Sequence, residues 1–212
     1  MVYLDAATRR PQLVDAAMRA FARDGVAATS LRAVAAEAGV PLGTLQHVFP
    51  TKELLLRAVV ETVIEQIAQV LEASADAPGG LEHAIRTSVT RFWANLVEDD
   101  IGLQLMQYEL TLYALRTPGQ GDLARTQYER YADVVAQWCE RAAENAGETS
   151  EVPFRQLARM IVGGIDGLII QYACNPDAER ARGDVDLLIR AVIAVAGVRA
   201  ATADGVLAGG GR

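Results

Sequence analysis

A chain of 212 residues with 51% hydrophobic side chains is long enough to bury one large core or two small ones. Its formal charge of -7 excludes a protein that coats nucleic acid without specificity, so any cations that meet DNA must be placed locally. Cys139 and Cys174 sit in apolar helical patterns and only His47 and His83 could join them, so both cysteines are read as small buried hydrophobes, not as a disulfide or metal ligands.

The N-terminus lacks the continuous apolar core of a secretory signal. Residues 1–7 read as a loose arm, and Thr8 is placed as the cap of a first helix that carries Pro11 in its opening turn. Leu13, Ala16, Ala17, Ala20 and Phe21 give that helix a buried stripe, and Gly25 ends it. Two short amphipathic segments then meet at Gly39: Leu31, Val34, Ala35 and Ala38 share one face, and Leu45, Val48 and Phe49 repeat the spacing. Thr29 and Ser30 are cap-forming residues ahead of the first segment, and Pro41 suits the opening turn of the second. Residues 31–52 therefore read as a helix-turn-helix, a device that places a helix in the major groove of DNA.

A long helix is expected from Lys52 to about Ala75, capped by Thr51. The run 77–80 breaks it, and a helix with Leu81, Ile85, Val89, Phe92 and Leu96 on one side follows. Further helices are expected at 101–115, 122–145, 154–174 and 184–200, with a polar loop at 147–153 and a break at 175–183. The apolar tract 157–174 is interrupted by Arg159 and Asp166, so it is not expected to span a membrane, and the protein is placed in the cytoplasm. The last residues, 201–212, lack a stripe and are expected to be disordered. No segment shows strand alternation. The fold is expected to be all-α, with about nine helices divided into a domain at 1–51, supported by the start of the long helix, and a larger helical domain at 52–200. Residues 1–57 hold seven Lys and Arg against five Asp and Glu, so the net charge there is positive while the remainder is acidic. That asymmetry suits a DNA-reading module joined to a module that does not touch DNA.

Asp15-Ala16-Ala17, Phe21, Gly25, Thr29-Ser30, Ala35, Ala38-Gly39-Val40, Gly43-Thr44-Leu45, Phe49, Lys52-Glu53 and Leu55 stand in one ungapped register. Over residues 9 to about 57 they resemble the N-terminal domain of the TetR family of bacterial transcriptional regulators. The resemblance implies that Pro41, Leu42, Thr44, Gln46 and His47 face the groove or its phosphate walls, and that Lys52, the only lysine in the chain, touches a phosphate. Gly43 keeps the front of the helix slim, and Ser30 and Arg32 complete the candidate DNA-binding set. Three positions depart from the family: Pro41 replaces a serine, Val26 an aromatic residue and Gln46 a tyrosine. Gln46 either weakens a phosphate anchor or reads an adenine edge through a paired hydrogen bond, and His47 is either a phosphate donor or an exposed residue without a role.

One helix of this kind contacts too little DNA for specific binding, so a homodimer on a palindromic operator is expected, with half-sites about 34 Å apart. Ile161, Ile165, Leu168 and Tyr172 form one apolar stripe and Leu188, Val192 and Val195 another. Gly163, Gly164 and Gly167 would destabilise a helix unless close backbone approach compensates. The resemblance implies that the last two helices pair with the same two of a second subunit. The middle helices carry most of the aromatic residues, with Tyr131, Val135 and Trp138 on one face and Tyr113 with Glu109 on another. Ordinary core is one reading of them. The resemblance adds a small organic effector of unknown identity, with Trp93, Glu109, Tyr113, Tyr131 and Trp138 as its candidate contacts. It also implies a switch in which the effector tilts the long helix, transmitted through Leu54, Leu55, Val59 and Val63. The expected function is that of a ligand-responsive transcriptional regulator, a repressor released by its effector. No cofactor is implied, and no nucleophile with a paired base points to an enzyme. The alternative is a helical interaction protein that keeps the helix-turn-helix only as scaffold.

Overall fold

The computed structural model describes residues 6–75, 79–98 and 101–201. Among them are nine α-helices: α1 (Ala6–Asp24), α2 (Leu31–Glu37), α3 (Leu42–Val48), α4 (Lys52–Ala75), α5 (Gly80–Phe92), α6 (Ile101–Arg116), α7 (Gly121–Ala146), α8 (Phe154–Cys174) and α9 (Ala178–Ala196). A π-helical stretch, Trp93–Glu98, extends α5, and a short antiparallel pair joins β1 (Glu148–Thr149) to β2 (Arg199–Ala200). The expected all-α class holds. Of the expected tail at 201–212, Ala201 donates its amide to the Gly147 carbonyl at 2.7 Å, and residues 202–212 lie outside the described residues.

Local chemistry sets the first three helices. Thr29 is buried, and its hydroxyl donates to the Gly25 carbonyl at 2.7 Å, closing the turn after α1. Ser30 caps α2, accepting from the Ala33 amide at 3.2 Å. Gly25 and Gly39 have φ of 84° and 66°, a region that costs other residues a Cβ clash. Leu13, Phe21, Val34, Leu45 and Phe49 then meet in one core, which runs on without a break into Leu55, Leu56, Val59 and Val63 of α4, Met106 and Leu110 of α6 and Leu123 of α7. A second core gathers α5, the π-helical stretch, the distal half of α7, α8 and α9. Helix α4 belongs chiefly to the first core, and Leu71 near its end reaches the second.

Several expectations are corrected. Thr8 lies inside α1, which begins at Ala6, so it is not the cap. Pro41 is the residue that precedes α3, with φ -60° and ψ 144°, and it supplies no side-chain cap. Helix α9 starts at Ala178, six residues before the expected Asp184, because Asp177 accepts from the Arg180 amide at 3.0 Å and nucleates an additional polar turn. Leu54 is 46% exposed, so the buried edge of α4 is Leu55, Val59 and Val63 without it. Cys139 is buried, and desolvation pushes its thiol up to about 12, whereas Cys174 is exposed at the end of α8.

Helix α8 is long and apolar enough to cross a membrane by length and composition, despite Arg159 and Asp166. Packing accounts for part of that apolarity, since Leu157, Ala158, Ile161 and Ile169 are buried against the second core. Of its three glycines only Gly164 meets a close neighbour: a Cβ there would fall 2.5 Å from Leu188 Cδ1, while Gly163 and Gly167 face open space.

The turn after α1 is directly testable. Thr29→Val keeps the shape of the side chain and removes its donor, and should lower the unfolding free energy by about 1 kcal/mol in urea titrations followed by circular dichroism.

Candidate functional site

Helix α3 turns two faces in different directions. Leu45 and Phe49 are buried in the first core, whereas Pro41, Gly43, Gln46 and His47 are exposed and Leu42 and Thr44 are half-buried. Gly43 has nothing within 4 Å of where a Cβ would stand, so this edge of the helix is bare backbone. Ser30 and Arg32 lie exposed at the front of α2 beside it, and Arg32 forms no ion pair among the described residues. Arg10, Arg19 and Arg23 are already engaged. Arg23 bonds Glu37 at 2.8 Å and Arg19 bonds it at 3.0 Å, and these contacts hold the Glu37 carboxyl below the usual range. Arg10 pairs with Glu61 at 3.2 Å and lies over the Phe49 ring.

Lys52 departs from its expected phosphate contact. Its Nζ donates to the Val26 carbonyl at 2.5 Å and sits 5.0 Å from the Tyr113 ring centroid and 5.9 Å from that of Phe21. Burial lowers its pKa. The ammonium is thus turned inward, held by a carbonyl and two aromatic faces. Glu109 departs in a related way: Oε2 accepts the Val26 amide at 2.9 Å, and a Cβ on Gly25 would stand 3.1 Å from the same oxygen. Glu109 and Tyr113, expected at an effector, therefore bind the first module to α6. Residues one turn apart on α6 share a face, and that face meets the turn after α1.

A partly open cavity of about 70 Å³ lies between α4, α5, α6, α7 and α8. Its wall is mostly apolar, with Ile67, Phe92, Val135, Ile161, Ile165 and Ile169, and it includes the expected Tyr131 and Trp138. Trp93 does not line it. That indole fills the second core edge-on to Tyr172, with ring centroids 5.7 Å apart, and its Nε1 has no hydrogen-bond partner among the described residues. Beyond the expected Tyr131, the polar residues of the wall are Ser88, Gln104, Gln107 and Asp166, none of them among the expected contacts. Thr111 donates to Gln127, Gln127 to the Tyr131 hydroxyl, Tyr131 to Gln107 and Gln107 to Gln104, at 3.1, 3.0, 2.8 and 3.2 Å. Asp166 also faces the cavity, and it receives the hydroxyls of Tyr108 and Tyr128, each at 3.0 Å. Burial raises its carboxyl above the ordinary range and pushes Tyr108 and Tyr128 up as well. The signal for it was present: Asp166 is the only carboxylate in α8.

The stripes chosen for a second subunit also change. Ile161 and Val192 are 3% and 1% exposed, packed in the chain's own core, and Ile165 lines the cavity. Leu168, Tyr172 and Leu188 pack partly against that core. Val195 is exposed as expected, joined by Ile170 and Leu187 at 48% and 58%. The outward face of the pair thus carries Gly163, Gly167, Ile170, Leu187 and Val195.

Residues 13–59 match the family model of bacterial regulatory proteins of the tetR family, and residues 83–195 match that of a tetracyclin repressor-like C-terminal domain. The chain is similar to the HTH-type nicotine-responsive transcriptional repressor HdnoR of Paenarthrobacter nicotinovorans, 31% identical over 185 residues that cover 87% of this chain and 94% of the relative. It is also similar to the HTH-type transcriptional regulator BetI of Burkholderia thailandensis, 27% identical over 169 residues covering 78% and 82%. Among solved structures, SmeT, the repressor of the Stenotrophomonas maltophilia multidrug efflux pump SmeDEF, aligns with a TM-score of 0.65 at 24% identity, covering 95% of this chain and 94% of SmeT. The multidrug binding protein EbrR, solved with imidazole, aligns at 0.57 and 28% identity, covering 85% and 94%.

The contact at Val26 makes a prediction about stability. Glu109→Ala leaves the buried Val26 amide without an acceptor and should cost about 1–3 kcal/mol, while Glu109→Gln keeps an acceptor oxygen and should cost well under half as much, measured by thermal unfolding.

Proposed function

The chain belongs to the tetR family of bacterial regulatory proteins and is a DNA-binding transcriptional regulator; from this we propose a dimeric repressor that sits on a palindromic operator and is released by a small organic effector. The observation that carries the DNA reading is α3, whose Leu45 and Phe49 are locked into the core while Pro41, Gly43, Gln46 and His47 stand exposed on the opposite side. A fixed helix with a bare front edge can seat in a major groove. Arg32 and Ser30 supply phosphate contacts at its flank, Thr44 adds a hydroxyl, and Leu42 packs against the groove wall. Gln46 is assigned to base reading, because its amide is exposed at the middle of the helix. Residues 1–51 form the reading module, residues 52–200 the effector and dimer module, and the protein works in the cytoplasm, where the DNA is.

Two half-sites need two copies of α3. The exposed apolar residues Ile170, Leu187 and Val195, with Gly163 and Gly167 allowing close approach, form the face we assign to the second subunit. The cavity around Tyr131 and Trp138 is assigned to the effector. At about 70 Å³ it is smaller than the roughly 300–1,000 Å³ of typical ligand sites, so binding must widen it. Widening displaces α4, whose Ile67 and Leu71 form one wall and whose first turns carry Lys52 and the core of the reading module. The family's regulatory role and the nicotine-responsive character of HdnoR support a small organic molecule as the class of effector.

Gel-shift titration against DNA flanking the gene should give salt-sensitive, palindrome-dependent binding; its absence would overturn the reading. Arg32→Ala should weaken binding across all sequences and reduce the salt slope by about 1, whereas Gln46→Ala should relax preference at one base pair per half-site. In sedimentation experiments, Leu187→Glu combined with Ile170→Glu should yield folded monomers that no longer bind the operator; a persistent dimer would reject the assigned face.

A further inference from the structure

We propose that the effector is an organic cation, a protonated amine or alkylammonium on an aromatic or aliphatic frame, whose charge is neutralised by Asp166. The inference rests on the assignment of the cavity as the effector site. Asp166 stands in a wall that is otherwise mostly apolar, and its two carboxylate oxygens are met by the neutral hydroxyls of Tyr108 and Tyr128 at 3.0 Å each. Among the described residues no lysine or arginine forms an ion pair with it. A carboxylate taken out of water is costly unless a cation accompanies it, and the two hydroxyls orient the group without cancelling its charge. Burial raising its pKa reflects that deficit. A cationic ligand would remove the deficit, while an anion would be repelled.

The surroundings favour the same class. Phe92, Tyr131 and Trp138 line the cavity with aromatic surface, which attracts cations through its ring faces. On the outer side of α4 and α7 lies a groove of about 330 Å³ whose wall carries Glu72, Glu140 and Glu144 against the single cation Arg141. Leu71 and Trp138 border both the groove and the cavity, so they form the partition between them. An acidic groove concentrates cations at its mouth. Parting Leu71 from Trp138 would join the two spaces and supply the volume that the small cavity lacks.

Calorimetric titration of the full chain with three probes of one size tests the proposal: benzylammonium, benzyl alcohol and benzoate. Benzylammonium should bind roughly 10- to 100-fold more tightly than benzyl alcohol, with benzoate weakest. Asp166→Asn should bring the first two within about threefold of each other, and Asp166→Glu, which keeps the charge, should retain the preference. Circular dichroism and operator binding without ligand check that both variants fold. Equal binding of the cation and the alcohol, failure of all three probes, or a preference that survives Asp166→Asn would each overturn the proposal. Ile165→Trp, which fills the cavity, separates this from the reading beneath it. If benzyl alcohol binds as tightly as benzylammonium, releases the operator and is lost in Ile165→Trp, the effector site stands and the cation assignment falls. If a cation preference persists in Ile165→Trp, the cavity is not the site and both fall.

Discussion

The backbone of Val26 is held from two sides, its N–H by Glu109 of α6 and its C=O by Lys52 of α4. Val26 itself is fully buried in the core that joins α1, α3 and α4. A backbone group out of water needs partners, and here both partners come from outside the turn that contains it. The orientation of the reading module is therefore specified by two side chains that answer to different helices. Should α4 and α6 shift relative to one another, the Val26 unit cannot satisfy both without moving with them, and α3 follows because Leu45 and Phe49 share its core. Gly25 belongs to the same constraint, since a side chain there would crowd the Glu109 carboxylate.

The cavity connects to this joint by continuous packing. Gln104 and Gln107 line it and also line a small space that reaches Met18 of α1, so the polar chain from Thr111 to Gln104 stands between the cavity wall and the reading module. Two helices, α6 and α7, share that chain, with Gln127 and Tyr131 contributed by α7. A ligand that competes for Tyr131 or Gln107 would disturb bonds on α6, the helix that carries Glu109 two residues after Gln107. The two regions are coupled by physical contiguity through α4 and α6.

Much of this was legible in the residues. Helices α2, α4 and α8 begin and end where caps, breaks and periodicity place them, and the helix-turn-helix was readable because Gly39, Ser30 and the buried stripes agree at every level. The failures have specific causes. The start of α9 was missed because an Asp-capped first turn rich in Arg, Glu and Gly looks like a loop when apolar spacing is the guide. The stripes assigned to the second subunit were reversed at Ile161 and Val192 because α8 and α9 are apolar on two faces, and periodicity identifies a face without saying which neighbour covers it. Lys52, Glu109 and Tyr113 were assigned outward or to a ligand because their contacts span 26 to 83 residues of chain, a separation that no local pattern encodes. Asp166 was noticed only as an obstacle to a membrane span.

The short strands β1 and β2 hold one end of the molecule shut. Thr149 pairs with Arg199, Ser150 and Glu151 both bond the Ala196 carbonyl, and Glu148 accepts the Leu81 amide at the start of α5. The C-terminal ends of α7 and α9 and the N-terminal end of α5 are thus fastened together at the far end of α7 from the reading module. In mechanical language this is a fulcrum. Helix α7 has 26 residues and so spans about 39 Å, and a rotation of only ~5° about that fulcrum would carry its other end through roughly 3 Å. On the proposed reading of the cavity, a small widening beside Trp138, close to the pivot, would become a larger sweep where α7 meets α4 and α6, as in an unequal-armed lever with the cavity on the short arm.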